Sequence, residues 1–187
     1  MFKNLKQEDF GNQSAAKSSV VRGIKSTIIE QFPRLETLVD DIIPKKDPLL
    51  LVKGKGDFAF FTFAIANNEV LFYQSGKDAP WLPTLRVLHK YPSIMPKMQV
   101  DQGAIKFVLR GANIMAPGLT SAGGAYEKGI GKGSPVQITA EGCEHACAIG
   151  IMSIDASELE SKPTGQAIES VHSLGDGLWK LEKVFKE

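Results

Sequence analysis

The spacing of apolar residues changes period along the first half of the chain. From Ser14 to Gln31, Val20, Val21, Ile24 and Ile28 recur at helical intervals and predict a helix, although Gly23 costs about 1 kcal/mol relative to alanine inside one. Phe32-Pro33 closes it. Arg34 to Ile43 repeats the pattern with Leu35, Leu38, Val39, Ile42 and Ile43, and Pro44 ends this second helix. The period then shortens. Leu49–Val52, Phe58–Ile65 and Val70–Tyr73 are rich in strand formers, and Asn67-Asn68 suits a hairpin turn. Two amphipathic helices need an apolar surface to pack on, and a small sheet supplies one. Pro83 is placed as the first helical residue of a segment Thr84–Tyr91, with Leu85 and Leu88 facing inward and Arg86, His89 and Lys90 outward.

Pro92 and Pro96 bracket a boundary, and beyond it the texture differs. Most of the chain's 18 glycines lie past position 100, amid short extended segments such as Val136–Ala140 and Ala146–Ile151, which suggests a small β-barrel or sandwich. The expected fold class is therefore α+β. A layered N-terminal domain over 1–93 is followed by a mainly β domain over 94–187.

One helix is expected in the second half. Asp101 can cap its start and Gly111 its end. At about 100° per residue, Ala104, Ile105, Val108 and Leu109 share the inward face, and Phe107 falls on the opposite side with Lys106 and Arg110. An aromatic ring flanked by two cations has the composition of an interface anchor.

Composition and charge narrow the function. With 43% hydrophobic and 23% charged residues in 187, the chain is an ordinary globular protein. No apolar run approaches the roughly 18 residues of a membrane span, so a cytoplasmic protein without membrane contact is expected. The formal net charge of +1 argues against coating nucleic acid by bulk electrostatics. The halves differ slightly: the first 93 residues carry 13 basic and 10 acidic side chains, the rest 9 and 11. The two cysteines, Cys143 and Cys147, are too few for a disulfide framework.

Catalytic patterns fit poorly. Cys143, His145 and Cys147 alternate as if on one strand face, but such neighbours diverge and a tetrahedral metal would need a fourth ligand from elsewhere. The glycine-rich run Gly123 to Ser134 fails as a phosphate loop, because Tyr126 and Gly133 stand where glycine and Ser or Thr are required. There is no G-x-S-x-G elbow, and His89, His145 and His172 are scattered. No enzyme, metal or cofactor is expected.

Three ordered blocks carry a resemblance: Val100-Asp101-x-Gly103-Ala104, then Leu109-x-Gly111-Ala112-Asn113-x-Met115-x-Pro117-Gly118, then Val171-His172-x-Leu174-Gly175-Asp176-x-Leu178-Trp179. Together they look like the signature of a PUA domain, an RNA-binding pseudo-barrel. Met1-Phe2-Lys3, Glu30-Gln31-Phe32-Pro33, Pro44-Lys45-Lys46-Asp47-Pro48, Pro83 to Pro92 and Gly118-Leu119-Thr120-Ser121 extend the likeness over essentially the whole chain. These segments are similar to the malignant T-cell-amplified sequence family, called translation machinery-associated protein 20 in yeast. Ala116 and Arg110 depart from residues common in that family.

The resemblance implies a PUA pseudo-barrel for the second domain and a translation factor for the whole. It implies binding to the small ribosomal subunit and its rRNA together with density-regulated protein, with tRNA as a further contact. The expected roles are reinitiation and post-termination tRNA release. Competing readings are an RNA-targeting subunit of a modification system and an interaction module with no RNA role. Phe107 is the expected anchor for density-regulated protein. Around Gly103 and Gly111 the absence of bulky side chains lets a phosphate backbone approach the peptide amides, with Lys106 or Arg110 supplying charge. Arg86, His89 and Lys90, with Lys45 and Lys46, form the expected basic rRNA surface of the N-terminal domain.

Overall fold

In the computed structural model, residues 1–162 and 164–185 are described. The first half is a five-stranded antiparallel meander in the order β1-β2-β3-β4-β5: Phe10–Ala15, Leu50–Gly54, Phe61–Ala66, Glu69–Ser75 and Trp81–Pro83. Asn67 and Asn68 join β3 to β4 with φ of 51° and 62°, the left-handed pair that a tight hairpin requires. Helix α1 (Ser18–Gln31) buries Ile24 and Ile28 against this core.

Four expectations need correction here. Ser14 and Ala15 belong to β1, a polar edge strand that buries only Phe10 and so shows no alternation to read. The second helix is not continuous: a 3-10 turn at Pro33–Leu35 and a single α turn, α2 (Val39–Ile42), replace it. Leu35, Val39, Ile42 and Ile43 are all buried by this bent path, so packing rather than helical propensity sets it. Gly56–Phe58 is likewise a 3-10 turn, and β3 begins only at Phe61. Pro83 ends β5, an edge strand that tolerates its missing N–H. Helix α3 (Leu85–Lys90) starts instead from Thr84, whose hydroxyl accepts from Val87 N and donates to Val70 O.

The second half is a six-stranded curled sheet in the order β7-β11-β10-β9-β6-β8: Ile114–Met115, Gln166–Ser173, Ala146–Met152, Pro135–Ala140, Lys97–Val100 and Ala125–Tyr126. Only β6 and β9 run parallel among its pairs. The register shifts between Ile149 and Gly150, where Val171 is the extra residue on β11. Gly150 is required there, since a Cβ would lie 2.3 Å from Ile168 Cγ2 and 2.7 Å from Glu169 O. Helices α4 (Gln102–Val108), α5 (Ala116–Thr120) and α6 (Gly177–Lys180) complete the fold. The α+β class and the pseudo-barrel that follows a layered domain are as expected.

The two halves share apolar contacts. Ala146, Ile149, Val171, Leu178 and Val184, all in the second half, are buried in the same cluster as Phe2, Phe63 and Tyr73. A second cluster, around Ile138, Ile168 and Leu159, lies within the curled sheet. Gln137 Nε2 donates to Pro92 O at 2.6 Å and Met95 O at 2.7 Å, holding the connecting segment. Past α6 the chain returns to the first half, where the Asn68 side chain bonds both the carbonyl and the amide of Phe185, at 2.8 and 2.6 Å.

Candidate nucleic-acid and partner interface

Helix α4 forms much as its sequence dictates. The Asp101 carboxylate accepts from Ala104 N at 2.9 Å, and Gly111, at φ 78°, takes the left-handed position that ends the helix. Val108 is buried, and Phe107 is 52% exposed. Leu109, expected inward, is 43% exposed because the helix has already ended at Val108. Lys106 Nζ lies 5.1 Å from the Phe107 ring centroid, and Arg110 is exposed one turn on.

Phe107 forms one wall of a groove of about 620 Å³ between α4 and β7. Met115, 49% exposed, stands among its other lining side chains with Asn113, and Ala104, Ala112 and Gly118 leave it open. Exposed apolar area beside exposed cations is thus concentrated on one face of the second half.

Several backbone amides near this groove already have partners. Ala104 N is capped by Asp101, Gln102 N donates to Glu141 Oε2 at 3.3 Å, Gly111 N to Val108 O and Ala112 N to Phe107 O. Two carboxylates therefore sit at the start of α4, where they repel a phosphate. Gly103 and Gly111 keep their open surroundings, with no backbone atom of another segment within 4 Å of a Cβ placed on either.

On the N-terminal half the expected basic face divides. Arg86 is only partly exposed: its Nη2 donates to Trp179 O at 2.6 Å and its guanidinium lies 4.7 Å from the Trp179 ring centroid. The His89 ring centroid lies 5.2 Å from those of Trp179 and His145, tilted to the first and edge-on to the second, and its Nε2 is 2.7 Å from Ala146 O. These two side chains fasten α3 to the second half because the partner surface lies on that side of the helix. Lys90 alone of the three is exposed. Lys45 and Lys46 lie elsewhere, on the rim of a groove beside α1.

Cys143 and His145 are exposed in the turn before β10, and Cys147 is buried in the strand, its thiol donating to Ile138 O. Burial pushes the Cys147 thiol up to about 11. The expected common strand face does not form, and no group of three or more metal-ligating side chains occurs among the described residues.

A buried pair went unnoticed in the sequence, although the motif Val171-His172-x-Leu174-Gly175-Asp176 contains it. His172 Nδ1 lies 2.7 Å from Asp176 Oδ2, with the side chains 1% and 8% exposed. Burial alone would raise the Asp176 carboxyl, but His172 and the amides of Trp179 and Ser173 outweigh it and hold it below its ordinary value. Phe2 and Tyr73 present ring edges to His172 at 6.0 and 6.1 Å. The pair knits the N-terminus, β4 and β11 together.

Comparison with known proteins agrees with this architecture. Residues 4–92 match the Pre-PUA-like domain and residues 96–174 the PUA domain. Human malignant T-cell-amplified sequence 2 is 45% identical over 184 residues, covering 97% of this chain and 98% of that one. Translation machinery-associated protein 20 of Eremothecium gossypii is 42% identical over 186 residues, covering 98% and 100%. A solved PUA-domain structure from Aeropyrum pernix superimposes with a TM-score of 0.71 at 23% identity, over 92% of each chain, and supports the fold. With both domains present in order and relatives this similar along nearly their whole length, the chain belongs to the family of the malignant T-cell-amplified sequence proteins and translation machinery-associated protein 20.

Proposed function

We propose that the protein is a non-enzymatic, cytoplasmic translation factor that binds the small ribosomal subunit together with density-regulated protein and promotes tRNA release after termination and reinitiation. The observation that carries this reading is the face of α4. In a chain of this family, a half-exposed phenylalanine walls an apolar groove, and two exposed cations stand beside it. An aromatic over a groove is suited to anchor a protein partner, and cations on the adjoining surface suit phosphates. In this reading Phe107 contacts density-regulated protein, while Lys106, Arg110 and Lys90 meet RNA.

Sedimentation with purified small subunits, with and without density-regulated protein and across a salt series, tests it. The protein should co-sediment, more tightly with its partner present. Replacing Lys106 and Arg110 by alanine should flatten the log–log salt dependence by about 1–2 units if both touch phosphates. Phe107→Asp should abolish co-purification with density-regulated protein while leaving a cooperative melt, since truncating a central interface aromatic costs about 2 kcal/mol or more. Failure to sediment under every condition would remove the ribosomal assignment. A variant at Phe107 that binds its partner normally would remove the anchor.

A further inference from the structure

At the end of the meander opposite the Asn67-Asn68 hairpin, Phe60 is 57% exposed, more than any other large apolar side chain among the described residues. It is nonetheless held in place. Its ring lies 4.4 Å from that of buried Phe61, tilted by 34°, and its carbonyl accepts from Gly76 N at 2.9 Å. The turn that follows β4 is pinned by Gln74, whose Nε2 donates to Lys77 O at 3.2 Å and to Ala79 O at 2.7 Å. A ring ordered from behind and open in front loses little conformational freedom when a ligand stacks on it.

Three lysines share this end of the sheet. Lys53 on β2 stands opposite Thr62, two positions from Phe60, and Thr62 in turn stands opposite Gln74 on β4. Lys55 follows β2 and reaches over Gly11 of β1, where a Cβ would lie 3.8 Å from Lys55 Cε. Lys77 follows the Gly76 that bonds Phe60. From β1 to β4 the strip crosses three strand intervals, about 14 Å. All three lysines are exposed, and none has an ion-pair partner among the described residues. Carboxylates are fewer on the strip. Asp78 is exposed beside Lys77, whereas Asp9 and Asp57 belong to a neighbouring groove with Lys3, Lys6 and Lys180, and Asp9 Oδ2 accepts from Lys6 N at 2.8 Å.

We propose that this strip binds a short segment of single-stranded RNA, with one base stacked on Phe60 and the flanking phosphates met by Lys53, Lys55 and Lys77. Ring, charge and surroundings together select this occupant. A lone aromatic among cations offers a base its π-face and a phosphate backbone its counter-charges, and a duplex keeps its base faces stacked inside. A protein anchor needs apolar neighbours that exclude water from around it. Phe107 has them in the groove that it walls, but the side chains beside Phe60 across the ladder, Lys53, Thr62, Gln74 and Ser75, are polar. The site lies on the meander, apart from the cations assigned to RNA at α4, and the assignment does not rest on binding to the ribosome.

The test uses neither ribosome nor density-regulated protein, so its failure is distinct from a failure of the function proposed above. A fluorescently labelled octauridine RNA is titrated into the full chain across a salt series, in a Lys106→Ala, Arg110→Ala background that removes the α4 cations. A duplex RNA of the same length and an octaglutamate peptide serve as competitors. The single strand should bind and should shift the amide resonances of Phe60, Gly76 and Lys77. Phe60→Ala, at an exposed position, should keep a cooperative melt and weaken binding about tenfold with little change in its salt slope, and Phe60→Trp should retain the affinity. Lys53→Ala with Lys77→Ala should instead reduce the log–log salt slope by about 1.4, the value for two phosphates of a single strand. No binding of the single strand, wild-type affinity in Phe60→Ala, or equal competition by the duplex or by octaglutamate would each overturn the inference.

Discussion

Asp176 joins helix α6 to the end of β11 through a single buried carboxylate. Its two oxygens take the ring of His172, the amide of Ser173 and the amide of Trp179, so it caps α6 and closes the end of β11 together. Because these partners hold its carboxyl below the ordinary value against the effect of burial, the folded state favours the ionised form. The corresponding stabilisation is complete above the unfolded carboxyl value of about 3.9 and is lost as pH falls through the lower folded value. Asp176→Asn should destabilise the protein by about 3 kcal/mol near neutral pH, since removing one member of a buried charged network leaves the others uncompensated. In chemical denaturation, the gap between wild type and variant should narrow below about pH 4. A gap that stays constant into acid would mean that the carboxylate charge contributes nothing and the cap alone does.

At the scale of elements, legibility followed from whether local and tertiary preferences agreed. The α4 segment was readable because Asp101, the apolar spacing and Gly111 all specify the same short helix. The Asn67-Asn68 hairpin was readable for the same reason. Strand β1 was not, since five of its six side chains are not buried and the strand owes its existence to pairing with β2. The broken second helix escaped because its apolar spacing satisfies a continuous helix equally well. Of the candidate site, Phe107 stood out by its position among cations. The inward turn of Arg86 and His89 did not, because it depends on Trp179, 93 and 90 positions away. The same reasoning applies to the pairing of β10 with β11, where the close approach beside the register shift depends on the missing side chain of Gly150. Gly150→Ala would drive a Cβ into Ile168 and the Glu169 carbonyl, and should cost about 1–3 kcal/mol in urea unfolding. Amide exchange should then rise along β10 and β11 before it rises in the meander. Wild-type stability in this variant would mean that the two strands can separate freely at the bulge.

Considered as a whole, the molecule cannot be cut where its two sheets meet. The meander's core is completed by Ala146, Ile149 and Val171 from the second sheet and by Leu178 and Val184 beyond it, and Phe2 is wholly buried among them. Gly177 shows how close that contact is: its N–H donates to Phe2 O at 2.8 Å, and a Cβ there would lie 2.3 Å from Leu5 O. Polar contacts at the same junction, from Arg86 to Trp179 and from Asn68 to Phe185, add geometric constraint to apolar burial. Two faces follow from one body: the α4 groove on the curled sheet and the Phe60 strip on the meander keep a fixed relation through this shared core. Calorimetry should therefore record one transition with equal calorimetric and van't Hoff enthalpies, near 130 kcal/mol if it melts around 60 °C, whereas independent halves would give two transitions of about half that size. Residues 1–93 expressed alone should lack a cooperative melt, because the apolar side chains that seal their core are absent. Two resolved transitions, or a folded and cooperative 1–93 fragment, would show that the meander closes its own core and that the junction is a contact between separate domains.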